Sequence, residues 1–147
     1  MASGNLYALM QPGGSLFGLQ FSNPVDTDVA YKGNAKHNGQ ANDPMVSTKI
    51  GGVNVFGGGL AMYNEDGEMV GAIGVSGDTS CADHIIAWKV RDALGLDNIP
   101  GGVGDGFTND NLIIINPPTA NSFEHPTCGF GEDPITANLA TDFPVGP

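Results

Sequence analysis

The chain has 147 residues, with 16 acids against five Lys or Arg and a net charge of −11. That length suits one domain with one core, and 40% apolar residues suffice for a globular protein. The charge argues against nucleic acid or an anionic membrane as partner, no apolar run approaches the roughly 20 residues of a membrane span, and 23 glycines with 10 prolines argue against a helical bundle.

Residues 3–11, SGNLYALMQ, read as a short helix capped by Ser3 and stopped at Pro12, with Leu6, Leu9 and Met10 as its stripe. Leu16–Phe21 reads as a short strand or an apolar loop. Residues 22–49 are polar and follow neither period, so they read as an arm. Ile50–Tyr63 reads as a strand bent at Gly57–Gly59. Asn64–Gly67 is a hairpin turn and Met69–Val75 the returning strand. Both faces of that strand are apolar or tiny, which predicts a central strand covered on each side. Ser80–Leu94 is the clearest helix. Ser80 and Asp83 form a capping-box pattern, Gly95 suits the left-handed C′ position, and Ile86, Val90, Ala93 and Leu94 should face the sheet. A glycine-rich loop, GGVGDGFTNDN, then leads to a short buried strand at Leu112–Ile115. Residues 117–147 are rich in Pro, Asn and Thr and read as an irregular tail wrapped over a surface.

The chemistry concentrates in residues 71–91, GAIGVSGDTSCADHIIAWKVR. Cys81 and His84 make C-x-x-H, and His125 and Cys128 make H-x-x-C. Cys81, His84, His125 and Cys128 could together hold a tetrahedral zinc. The alternative, ranked first, is a Cys81–Cys128 disulfide that staples the tail to the helix. The turn GVSGDTS has two readings as well. Amides at the helix start, with the hydroxyls of Ser76, Thr79 and Ser80, suit an anion. Alternatively Ser80 simply caps the helix and Asp78 fills the anion's place. Trp88 is a ligand wall or, more commonly, core or interface. No phosphate-loop motif occurs, DGFTNDN fails the calcium-loop spacing, and Ser76 lies in G-V-S-G rather than G-x-S-x-G. His37 sits in the polar arm and reads as solvated.

The stretch GGVNVFGGGLAMYNEDGEMVGAIGVSGDTSCADHIIAWKV resembles the GlcG/HbpS heme-binding protein family. The resemblance rests on Gly51-Gly52-Val53, the hairpin return Gly67–Gly71, and the Gly71–Gly77 turn before an acidic helix start, over about residues 50–96. LYALMQPGGSLFGLQFSNP and HPTC look like segments of longer, often exported members. The resemblance implies an α/β fold of the α+β type, with an antiparallel sheet of about five strands and packed helices, assembled into oligomers. It implies heme as cofactor, with Ser76, Thr79, Ser80 and His84 as binding residues. The family's first helices find no counterpart, so residues 1–147 read as a single domain lacking the usual N-terminal part.

The leading function is therefore a binding module for heme or another small ligand near the GVSGDTS turn. An enzyme or enzyme subunit acting on a small oxygenated metabolite is the alternative, with Asp78, Asp83 and His84 as acid/base candidates. A structural accessory subunit is the third. The expected partners are further copies of the chain, or a separate polypeptide supplying the missing N-terminal half, with no membrane insertion. MASGNLYALM lacks the basic and long apolar regions of a signal peptide. The cysteine pair and low lysine content lean towards a periplasmic or secreted location, with the cytoplasm as alternative.

Overall fold

The computed structural model describes residues 1–146. In chain order its helices are α1 (Tyr7–Met10), α2 (Leu19–Ser22), α3 (Thr27–Ala30), α4 (Ser80–Ala93) and α5 (Glu132–Asp142). Its strands are β1 (Gly59–Tyr63) and β2 (Met69–Gly74), so the fold class is α+β. The chain forms two compact units: Met1–Phe17 with the residues from Asn54 onward, and Gly18–Val53.

In the first unit β1 and β2 form an antiparallel hairpin, with Leu60 opposite Ile73 and an irregularity between Met62 and Tyr63. Asn64 closes the turn, its side chain accepting from the amides of Asp66 and Glu68. The core gathers Leu60 of β1, Cys81, Ile85, Ala87 and Trp88 of α4, Leu112, and Leu139 of α5. Trp88 donates its indole N–H to the Phe143 carbonyl, so burying its ring leaves no polar atom stranded.

Helix α4 has defined ends. Thr79, rather than Ser80, is its N-cap, and its hydroxyl accepts from the Ala82 amide. Asp83 sits in the first turn, where a carboxylate meets the positive helix end. At the other end the Leu96 amide donates to Arg91 and the Gly95 amide to Asp92, with Gly95 left-handed. That is the Schellman closure expected of Gly95.

Several expectations are corrected. The described residues form a two-stranded sheet, where the resemblance implied about five strands in a complete domain. Residues 53–58 do not extend the bent strand, because Gly57 and Gly58 pass against the start of α4. A Cβ on Gly57 would lie 1.9 Å from the Ser80 carbonyl oxygen, and one on Gly58 2.1 Å from that of Val75. Leu112–Ile115 forms only an isolated bridge, Ile114 to His125, because the Asn5 side chain takes the Ile113 amide that a strand partner would have used. Leu16–Phe21 turns into α2 rather than a strand.

Strand β2 is not a covered central strand: it is largely exposed, with Met69 69% and Val70 55% accessible. Helix α4 turns the other way from the expected one. Cys81, Ile85 and Trp88 face the core, while Ile86, Val90 and Leu94 are exposed. Both stripes are apolar, and the bulkier one, with Trp88, won the core.

Ser3 caps nothing; its hydroxyl bonds the Phe56 carbonyl and accepts from the Gly59 amide. The tail is not wholly irregular, because it contains α5. That helix hides from periodicity since its buried positions are Glu132, Thr136 and Leu139, two of them polar. Glu132 and Asp133 occupy its first turn, and Pro134 is tolerated there because first-turn amides need no helical partner.

The second unit, Gly18–Val53, has no buried residue. Asp26 caps α3 by accepting from the amides of Asp28 and Val29. A bridge between Val25 and Gly51 joins its two ends.

Candidate functional site

The strand-to-helix junction is built from side chains that satisfy one another. The Asp78 carboxylate accepts from the Thr79 amide at 2.7 Å. Asp83, 5% exposed, accepts from the Asp78 amide at 3.1 Å. The Thr79 hydroxyl serves Ala82, and the Cys81 amide points at Cys128 Sγ at 3.3 Å. The amides offered to an anion are thus largely committed, and two carboxylates stand among them. Ser76, Asp78 and Thr79 are exposed, and Gly74 and Gly77 have open space in front of them. The junction is an open surface rimmed by oxygen atoms.

His84 points the other way. It is fully buried, with Nε2 3.0 Å from the Asn111 side-chain oxygen and Nδ1 without a partner. Burial holds its pKa down to about 4, against the Asn111 hydrogen bond and the Asp110 charge, which raise it. It packs edge-on against Trp88 at 6.0 Å. Asp78, Asp83 and His84 therefore do not meet at a solvent-facing point as an acid/base set.

Cys81 and Cys128 are joined as a disulfide, and no free cysteine remains. The bridge ties the first turn of α4 to the loop before α5. Cys81 Sγ also lies 3.7 Å from His125 Nδ1. His125 is 5% exposed, packs tilted against Tyr7 with ring centroids 5.2 Å apart, and has Nδ1 2.6 Å from the Pro126 carbonyl. Burial lowers the His125 pKa, while the Pro126 bond and the Glu132 charge raise it. Glu132 accepts from the amides of Cys128, Gly129 and Phe130. Burial pushes its carboxyl up, but its own amide and those three outweigh this and hold it below the usual carboxylate range. His84 is not part of this cluster, which brings together Cys81, His125 and Cys128 alone of the four zinc candidates.

Sequence reasoning missed a buried polar network behind the junction. Arg91 is fully buried, paired with Asp110, and also donates to the Ala61 carbonyl at 2.9 Å. Its guanidinium lies 5.2 Å from the Trp88 ring. Asn111 donates to the Thr136 carbonyl at 2.7 Å, and Asn5 to the Asn111 carbonyl at 2.8 Å. The available signal was Arg91 itself, a cation in the last turn of α4, with Asp110 and Asn111 ending a glycine loop.

Clefts among the described residues lie elsewhere. One of about 430 Å³ is lined by Ala8, Pro12, Pro118 and Asn121 among others. Another of about 440 Å³ is lined by residues including Tyr63, Ile99, Phe107 and Asp110. Neither includes a residue of 76–84.

A family model described as "Haem degrading protein HbpS-like" matches residues 2–92, more than half of the chain. The chain belongs to the HbpS-like family. No curated protein and no solved structure matches it. The HbpS-like match takes in the hairpin, the junction and nearly all of α4, and extends towards the N-terminus beyond the stretch whose motifs carried the resemblance. Asp110, His125, Cys128 and Glu132 lie outside it. No described helix is long and apolar enough to cross a membrane.

Proposed function

We propose that this chain is a heme- or small-ligand-binding module that works in an oligomer, with ligand held against the Ser76–Thr79 turn and the open face of β2. Family membership supports heme chemistry as the coarse function. The observation that carries the finer reading is the pair of apolar stripes on α4. A helix apolar on opposite sides belongs inside an assembly. Ile86, Val90 and Leu94 leave one stripe exposed, and β2 exposes Met69 and Val70. A second copy covering these residues would turn an open surface into a slot. That copy is the partner proposed first; a separate polypeptide supplying further helices is the other.

The donors at the turn fit heme in a particular way. The hydroxyls of Ser76, Thr79 and Ser80 can donate hydrogen bonds to propionates, and the Asp78 carboxylate is a hard oxygen suited to a ferric centre. His84 supports the junction from beneath, bonded to Asn111, rather than reaching a ligand. Heme, when bound, would supply the redox-active iron. The disulfide supports a periplasmic or secreted location.

The experiment is a heme titration of the whole chain followed by its Soret band, alongside size-exclusion chromatography with light scattering. Saturable binding to an oligomer, weakened at least tenfold in Thr79→Ala, is the expected result. No saturable binding, or a free monomer that binds heme as tightly with Thr79→Ala as without it, would overturn the reading. Loss of the band on adding a mild reductant in air would report degradation rather than carriage.

A further inference from the structure

We infer that Cys81, His125 and Cys128 form a thiol-gated metal site: reducing the bridge yields a Cys₂His site for a zinc-class divalent cation. The three residues come from distant parts of the sequence, yet their ligand atoms all lie within 4.8 Å of one another. In a tetrahedral zinc site, with Zn–S near 2.3 Å and Zn–N near 2.0–2.1 Å, a sulfur and a nitrogen ligand stand ~3.6 Å apart. Cys81 Sγ and His125 Nδ1 are already 3.7 Å apart. Two changes are needed: the opening of the two sulfurs to ~3.8 Å, the corresponding S···S edge, and the release of His125 Nδ1 from the Pro126 carbonyl.

The surroundings suit a cation and its thiolates. Cys81 is fully buried and His125 nearly so, while Cys128 is partly exposed, which gives a reductant and an ion a way in. The Cys81 amide points at Cys128 Sγ, a contact that also favours a thiolate. Glu132 fixes the Cys128 loop by accepting three of its amides and adds negative charge nearby. His84 is held elsewhere by Asn111, so the site has three protein ligands and a fourth position for water.

The chemistry balances with a dithiol as reductant. Its two thiols give two electrons and two protons to the Cys81–Cys128 bond, and the dithiol becomes a disulfide. The S–S bond breaks and two cysteine thiols form. Zinc then binds both as thiolates, releasing two protons. His125 contributes the Nδ1 lone pair, giving up its contact with the Pro126 carbonyl and carrying its proton on Nε2.

The test uses the full chain, reduced and freed of reductant without oxygen, then titrated with Co²⁺ and back-titrated with Zn²⁺. One Co²⁺ per chain is expected, with tetrahedral d–d bands and a thiolate charge-transfer band, displaced by zinc with release of two protons. The oxidised chain should take up none. Cys81→Ser should abolish the charge-transfer signature, His125→Ala should weaken uptake at least tenfold, and His37→Ala should change nothing. Circular dichroism is followed throughout: a reduced chain that loses structure and regains it with zinc also supports the site. No stoichiometric uptake by the reduced chain, equal uptake by the oxidised chain, or unchanged affinity in His125→Ala would each overturn it. None of these readouts depends on heme.

Discussion

The two compact units are ordered by different physics. The unit from Asn54 onward, with Met1–Phe17, has an apolar core around Trp88, Leu60 and Leu139, a buried ion pair and a disulfide. The Gly18–Val53 unit has no buried residue at all. Its order comes from polar side chains that close turns on their own backbone. Asp26 caps α3, Asn34 accepts from the Lys36 amide, and Asp43 accepts from the amides of Gly39 and Met45. Those last two amides, Met45 first, lower the Asp43 pKa. Phe21, Val25, Tyr31 and Val46 remain at the surface. Turn chemistry can hold a shape residue by residue, but only burial makes the shape cooperative.

The sharpest contrast comes from removing one charge in each unit. Asp110→Ala leaves Arg91 buried without its carboxylate, and breaking such a pair costs about 3–5 kcal/mol. Urea unfolding of the variant should show that loss. The removal of Asp28, exposed in the other unit, should stay within about 0.5 kcal/mol. Comparable losses in the two variants would erase the distinction.

The bridge should come next. Cys81 and Cys128 are 47 residues apart, and in the chain-entropy account a loop of that length stabilises by ~4 kcal/mol. The Cys128→Ser chain, kept free of metal, should lose stability on that scale by urea titration. A loss below about 1 kcal/mol would mean that the core holds the tail without its staple.

A third contrast lies in pH. An unfolded His84 takes its proton near 6.5, while the folded one resists until about 4. Through that window the unfolded chain binds more protons, so stability is complete above 6.5 and falls as the pH drops towards 4. The full contribution is about 3 kcal/mol. His125 acts in the same direction. Glu132 is also held low and acts in the same direction, its contribution being lost as the pH falls through its depressed pKa. The His84→Gln chain should show a flatter stability curve between pH 6.5 and 4. An unchanged slope would place the sensitivity elsewhere.

Which features could be read from the sequence follows from the same division. The hairpin and α4 were legible because local signals agree: Asn64–Gly67 turns, Ser80 and Asp83 mark a helix start one residue past its actual cap, Thr79, and Gly95 ends it. The disulfide was legible from the cysteine count. The facing of α4 was not, because Ile86-Val90-Leu94 and Cys81-Ile85-Trp88 are both apolar and only tertiary packing chooses between them. Helix α5 escaped because its inward positions are Glu132 and Thr136, which read as surface. The Arg91–Asp110 pair escaped for a related reason: each residue alone looks solvated, and only the fold brings them together. At the junction, residue types suggested a ligand, but Asp78, Thr79 and Asp83 spend their hydrogen bonds on the helix start.

The smallest effect tests the Gly18–Val53 unit on its own terms. Asp26→Ala removes an acceptor shared by the Asp28 and Val29 amides, at a local cost of about 1 kcal/mol. No apolar burial in this unit spreads that cost, so the main urea transition should move by less than about 0.5 kcal/mol. Proteolysis reads the local term instead. Of the five tryptic positions, Lys32, Lys36 and Lys49 are exposed in this unit, whereas Lys89 and Arg91 lie in α4 and Arg91 is fully buried. Early cuts should fall after Lys32 and Lys36 in both chains. In the variant they should come ~5-fold faster, because cutting follows the population of the open segment when opening is rapid. The rate after Arg91 should not change. Cleavage in α4 as early as in the polar unit, or an acceleration shared by both places, would show that the two are held by the same cooperative structure.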